Sequence, residues 1–489
     1  MRKAMDRQRR LDCPAVTEVT LNFDCRSEII PILRALQHIY SRPEVREAIL
    51  RAIGRDVNRR GSPKRGRPGL DYWPILVLAA VRLGCNFDYD QLQDLAENHA
   101  KLREIMGIGE WGEEPSFDWR RIRDNLCLLR PETLERINQA IVAEGHRLAP
   151  EAVASVRADS FVAETNIHYP TESTLIRDGL RKVLELGAAM ADVLRASGWR
   201  QHAHLAKKAK RLARRIDRIA ARKGAGYQER LKTAYRELLT LAEMVFDRAE
   251  KLRKKLRKRR SVDAEVLALE NDLTVFIERT RHVCGTARRR VIEGEQVPNN
   301  EKLFSIFEPH TQLYMRGKAG QPVQFGRQVL VYEDAAGFVI AYHVLPRDQD
   351  DRDVVVERTR KLQKRLGNKI QRLSLDRGFH SPENQKALAE IIPHPCLPMP
   401  GANQSARQEE EASVEFRQAR QRHPGVESAI GALQSGNGLE RCRDRSEVGF
   451  SRYVGLGVLG RNLHALGKLL IAREAPHSKA AQSRRKKAA

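Results

Sequence analysis

Eight residues, Leu231, Tyr235, Leu238, Ala242, Val245, Ala249, Leu252 and Leu256, recur at spacings of 4, 3, 4, 3, 4, 3 and 4. That period keeps one apolar stripe on a single helix face and cannot be met by a strand, whose period is two. A second stripe, Leu205, Ala209, Leu212, Ile216 and Ile219, precedes it across the breaker Lys223 to Gly226. Two such stripes joined by a short glycine turn predict an antiparallel helical hairpin with a coiled-coil seam. Residues 177 to 290 hold 31 Lys and Arg against 14 Asp and Glu. A solvated coiled-coil surface mixes signs, so this surplus predicts contact with a phosphate backbone. Its peak, KLRKKLRKRR from Lys251 to Arg260, supplies Lys254, Lys255 and Arg257 as candidate DNA contacts.

The same sign runs through the whole chain. Its 489 residues carry 88 Lys and Arg against 63 Asp and Glu, a net charge of +25. Such an excess points to a polyanionic partner, double-stranded DNA in this reading. With 41% apolar and 31% charged residues the chain reads as globular. The longest largely apolar stretch, Trp73 to Leu83, is too short to cross a bilayer, and MRKAMDRQRRLD lacks the apolar core of a secretory signal. Seven scattered cysteines form no C-x-x-C pair, which speaks against a disulfide framework or structural zinc. A cytoplasmic protein without membrane contact is expected.

Residues 1–150 read as an all-helical, DNA-binding domain. Val45, Ile49 and Ile53 follow Pro43 at helical spacing, and Asp71 is placed to cap a helix that starts near Pro74. DYDQLQDLAENHAKLREIMG is a further helix ending at Gly107, Ser116 is placed to cap FDWRRIRDNLCLL, and Pro131 opens the next. The basic helix would present Arg120, Arg121 and Arg123 to a DNA groove, or else to solvent. RRGSPKRGRPGLD reads first as a basic linker; its Arg-Gly-Arg-Pro resembles an AT-hook core, which makes Lys64, Arg65 and Arg67 candidate minor-groove contacts.

From Ala152 the period changes. AVASVRADSFVA is short, rich in β-branched residues and bounded by Pro150 and NIHYPTES, which predicts a buried strand. QVLVYEDAAGFVIAYHVLP predicts a β-hairpin turning at Gly337. DRDVVVERTRKLQKRLG reads as helix, IQRLSLDRGF as a strand ending at Asp376, SPENQKALAEI as helix, HPCLPMP as an extended piece and GVESAIGALQ as helix. The order βββαβαβα is that of an RNase H-like mixed sheet flanked by helices. The discontinuous catalytic domain would comprise residues 151–176 and 303–470, interrupted by the basic helical insertion 177–302 and followed by a disordered basic tail, 471–489.

In that architecture carboxylates at neighbouring strand ends and on a late helix converge. The candidates are Asp159, Asp376 and Glu427, both as catalytic residues and as ligands. Hydrolysis of a phosphodiester needs an activated nucleophile and a stabilised leaving oxyanion, a task suited to two divalent ions. Magnesium, or manganese, wants hard oxygen ligands, so three carboxylates suffice. Glu164, Glu172 and the acidic run 408–411 are alternatives for completing the set. His168, His380 and His423 read as phosphate hydrogen bonders or packing residues, and Lys318 as a phosphate contact or a turn lysine.

ADSFVAETNIHYPTES, QPVQFGRQV, LDRGFHSPEN and GVESAIGALQSGNGLERCRDR resemble the core motifs of DDE insertion-sequence transposases, and YDQLQDLAENHAKLREIMGIG is similar to the domain that precedes that core. The resemblance spans residues from about 40 to 470 and carries the family's acidic triad onto Asp159, Asp376 and Glu427. It implies a transposase that binds element ends as a dimer or larger assembly, cleaves the strand with a metal-activated water and joins the freed 3′-hydroxyl to target DNA. Alternatives are a nuclease of the same fold without strand transfer, or a catalytically inactive DNA-binding regulator. Many relatives place tyrosine, arginine and lysine at fixed offsets around the glutamate; here Arg420, His423 and Gln434 stand there, with Arg422 the nearest substitute for the arginine.

Overall fold

The computed structural model describes residues 2–5, 11–59, 69–109, 117–258, 263–318, 321–399, 411 and 413–488. They divide into two compact units, Met1–Glu164 with Arg327–Ala489, and Thr165–Gly326. The chain is mixed α/β, and among the described residues no helix is long and apolar enough to cross a membrane.

The first unit begins with seven helices: α1 (Ile29–Ser41), α2 (Pro43–Val57), α3 (Tyr72–Gly84), α4 (Tyr89–Asn98), α5 (Ala100–Met106), α6 (Trp119–Leu126) and α7 (Pro131–Leu148). Pro43 and Pro131 occupy first-turn positions, where a missing N–H costs nothing. Ser116 lies outside the described residues, and Asp118 accepts from the Arg120 and Arg121 amides at the start of α6. Asp71 makes no cap for α3 and instead accepts from the Lys3 amide at 2.6 Å. The single helix expected from Asp88 to Gly107 is two, broken at His99, whose ring accepts from the Leu102 amide and starts α5.

The sheet follows. Its strands are β1 (Ser155–Thr165), β2 (Gln312–Lys318), β3 (Gln321–Asp334), β4 (Val339–Val344), β5 (Arg372–Ser374), β6 (His394–Cys396) and β7 (Arg441–Cys442), in the order β2-β3-β1-β5-β6, with β4 also on β3 and β7 on β1. The β3–β4 hairpin pairs Val329 with Val344 and Val331 with Tyr342, and turns through Gly337 at φ +83°. Buried Asp334 closes that turn, accepting from the Ala336 and Phe338 amides at 3.0 Å. Helices α12 (Asp351–Arg365), α13 (Pro382–Ala389), α14 (Val414–Arg422), α15 (Pro424–Gly431) and α16 (Glu447–Ala488) complete the first unit, whereas β2 and the start of β3, as far as Gly326, belong to the second.

The helical region expected as a separate domain, 1–150, shares one core with the sheet. Leu134 and Ile137 of α7, Val329 and Val331 of β3, and Leu456 and Leu459 of α16 belong to a single apolar cluster. Helix α16 causes this, because it lies against α1, α3, α7 and β4 together. It also runs through residues 471–488, expected as a disordered basic tail. At Gly460 a Cβ would sit 2.5 Å from the Cα of Gly84, so α16 and α3 meet backbone to backbone. Gly460→Val is therefore expected to destabilise the fold by roughly 1–3 kcal/mol or more, read as a lower urea midpoint. An unchanged midpoint would mean that the helices do not pack so closely.

The second unit is built on four helices, not the expected two. These are α8 (Glu172–Leu194), α9 (His202–Arg222), α10 (Tyr227–Arg257) and α11 (Ala264–Ala287). The stripes of α9 and α10 do meet, but α8 packs on both and α11 packs on α8. The reason is that α8 and α11 carry apolar faces of their own, Leu180, Val183, Leu184 and Met190 on one, Leu273, Ile277 and Val283 on the other. Gly179 permits the α8–α11 approach, since a Cβ there would lie 2.1 Å from the Thr280 hydroxyl.

Candidate active site

The site begins with strand register. Parallel strands β1 and β5 pair Ser155 with Arg372, Val156 with Leu373 and Arg157 with Ser374. The same offset, carried two residues past the last pair, aligns Asp159 with Asp376. Alternation puts Val156, Ala158, Leu373 and Leu375 into the core and assigns Arg157, Asp159, Ser374 and Asp376 to the other face. Asp376 stands just past β5 on still-extended backbone, before the short turn Arg377–Phe379, and its side chain is 54% exposed. Asp159 is half-buried, and one of its oxygens accepts from the Ser160 amide at 2.7 Å.

Helices α14 and α15 bring the third carboxylate. Val426, Ala429 and Ile430 point inward on α15, which leaves Glu427 exposed in its first turn. Buried His423 joins the two helices, and its Nδ1 lies 2.8 Å from the Ser374 hydroxyl. Burial pushes the imidazole below its ordinary pKa, and Arg420 adds to this, while Asp376 and Glu427 pull the other way and Arg157 lowers it again. Asp376 and Glu427 thus act on one buried ring. Arg420 approaches Asp376 at 3.8 Å.

Arg157 was not singled out in the sequence, yet it holds this arrangement in place. Its guanidinium donates to buried Glu333 at 2.7 Å and to the Arg422 carbonyl, at the end of α14, at 3.1 Å. Arg461 reaches the same Glu333 at 3.5 Å. A Cβ on Gly425 would fall 1.9 Å from the Arg157 guanidinium, so α15 starts directly over that side chain. The readable signal was a charged residue two positions before Asp159 on a half-buried strand. On the neighbouring face Asp351, at the start of α12, bonds the Ser160 hydroxyl and accepts from Gln328 at 2.7 Å.

The other candidates fall in several places. Glu164 pairs with Arg441 at 2.9 Å, and Glu172 with Arg290, so both alternative carboxylates are committed to ion pairs. His168 lies 3.4 Å from Asp178. Arg422 is exposed and lines a cavity of about 410 Å³ with Arg157 and Arg372. On α6, Arg120 and Arg123 stack on Trp119, and Arg123 also pairs with Asp124 at 2.8 Å; Arg121 shares that helix. Lys254 and Lys255 are exposed at the end of α10, and Arg257 lies 3.9 Å from Glu270. Lys64, Arg65 and Arg67 lie outside the described residues, as does most of the acidic run 408–411.

Among the described residues no group of three or more His, Cys, Asp or Glu side chains is gathered as a metal site. The donor chemistry of Asp159, Asp376 and Glu427 nevertheless suits a hard cation: oxygen ligands only, two of them exposed. No family model, curated protein or solved structure matches the chain.

Proposed function

We propose that this chain is a DDE-type DNA transposase with an RNase H-like core. It would bind the ends of its element, cleave a strand and join the new 3′-hydroxyl to target DNA. What supports the reading is the β1–β5 register, whose offset, continued two residues past the last pair, aligns Asp159 with Asp376, together with Glu427 on a helix tied to β5 through His423 and Ser374. The order β4-β3-β1-β5-β6 within the sheet supports the fold assignment, and the net charge of +25 supports the polyanionic substrate.

Asp159, Asp376 and Glu427 would hold magnesium or manganese ions. When bound, such ions lower the pKa of water and stabilise the leaving oxygen of an in-line displacement. The protein's own part is positional. Arg157 and Gly425 fix the joint between α14 and α15, which sets where Glu427 stands. His423 locks that joint to Ser374, two residues from Asp376. Arg420 offsets charge on Asp376 and is near enough to meet a phosphate oxygen. Joining two element ends requires at least two copies of the chain.

The test is an assay with magnesium, end-containing duplex and a labelled target. Nicked ends that become joined to the target are expected. Nicks that are never joined would reassign the chain to a simple nuclease, and binding without nicking would leave a DNA-binding regulator.

A further inference from the structure

Helix α9 differs from its neighbours in how its charge is balanced. It holds eight Lys and Arg, all exposed, against one carboxylate, Asp217, which accepts from the Ser173 hydroxyl. Lys207, Arg211, Arg214, Arg218 and Arg222 follow at spacings of 4, 3, 4 and 4, so they form one row on the face opposite Leu205, Ala209, Leu212 and Ile216. Among the described residues no carboxylate pairs with any of the five, whereas Arg215, off the row, is held by Glu237 at 3.0 Å. The α10–α11 face is different: Arg253 is bonded to both Glu250 and Glu270, Arg281 to Glu250, and Arg257 approaches Glu270.

We propose that the α9 row is a docking rail for the backbone of duplex DNA, read without regard to sequence. The proposal rests on the reading of the chain as an enzyme of duplex DNA and locates where the basic insertion meets it. The row spans about 22 Å at 1.5 Å per residue, with a cation at about every turn of α9, and covers some two-thirds of a helical turn of DNA. Five unneutralised charges on a rigid rod suit a regular line of phosphates, whose contacts position but do not specify. The helix has no Phe, Tyr or Trp on which unpaired bases would stack, which argues against a single-stranded partner. Its apolar face is buried against α8 and α10, so it has nothing to insert into a lipid surface.

The experiment uses the full chain, without divalent ion, on a random 30-base-pair duplex that contains no element end. The variant Lys207→Gln/Arg211→Gln/Arg214→Gln/Arg218→Gln removes four charges while keeping good helix formers. The slope of log affinity against log salt is expected to shallow by about 3 to 4, and affinity near 0.1 M salt to fall on the order of 100-fold. The double variant Lys207→Gln/Arg211→Gln, expected to shallow the slope by about 2, keeps the test decisive if the fourfold variant fails to fold by circular dichroism. An unchanged slope overturns the proposal. So does tighter wild-type binding to single strands, to duplex RNA or to phosphatidylserine vesicles than to the DNA duplex. Because no cleavage is scored, failure here leaves the catalytic reading standing, and an inactive Asp376→Asn chain should keep the full slope.

Discussion

Asp376→Asn is expected to lower strand cleavage at least about 10³-fold, equivalent to about 4 kcal/mol of lost transition-state stabilisation, while duplex binding changes little. The carboxylate stands on extended backbone just beyond β5, more than half exposed, and makes no close hydrogen bond that the fold needs. Removing one negative charge there should cost the site a cation ligand and leave the protein stable. Cleavage and binding measured on the same preparation separate the two effects. Cleavage within tenfold of wild type would remove Asp376 from the chemistry. Loss of binding in parallel would show that the substitution damaged the fold.

The largest stability effect is expected at Asp444. Its carboxylate takes a hydrogen bond from Arg82 at 2.7 Å and lies 3.3 Å from Arg452, and the Arg82 and Asp444 side chains are only 2% and 5% exposed. Arg82 is stacked 3.9 Å over the Tyr89 ring, so it has no route to water. Asp444→Ala leaves that guanidinium buried without its counter-charge, a change that typically costs about 3–5 kcal/mol. A urea titration should show a correspondingly lower midpoint. A loss below about 1 kcal/mol would mean that water reaches Arg82 or that another partner takes over.

How much of this was readable in the sequence depends on the range of the interaction. The β3–β4 hairpin was legible because alternation and Gly337 are local signals. The separation of Asp159 and Asp376, 217 residues, became meaningful only with the β1–β5 register, which has the same offset. Arg157 was missed because its value lies in a carbonyl and a glycine on helices more than 260 residues away. The stripes of α9 and α10 were visible, but a periodic stripe does not tell how many helices will cover it, so a two-helix seam was expected where four helices pack. Helix α16 hid its role for a similar reason: Gly460 and Gly467 sit where α3 and α1 approach it closely, a contact that no local pattern announces.

The central claim is that Asp159, Asp376 and Glu427 share a pair of divalent ions. Counting bound Mn²⁺ by electron paramagnetic resonance on the DNA-bound chain tests it most directly. The account predicts two ions per chain, with fewer or none in each of Asp159→Asn, Asp376→Asn and Glu427→Gln. Wild-type binding that survives all three substitutions unchanged, or no binding at all, would contradict it.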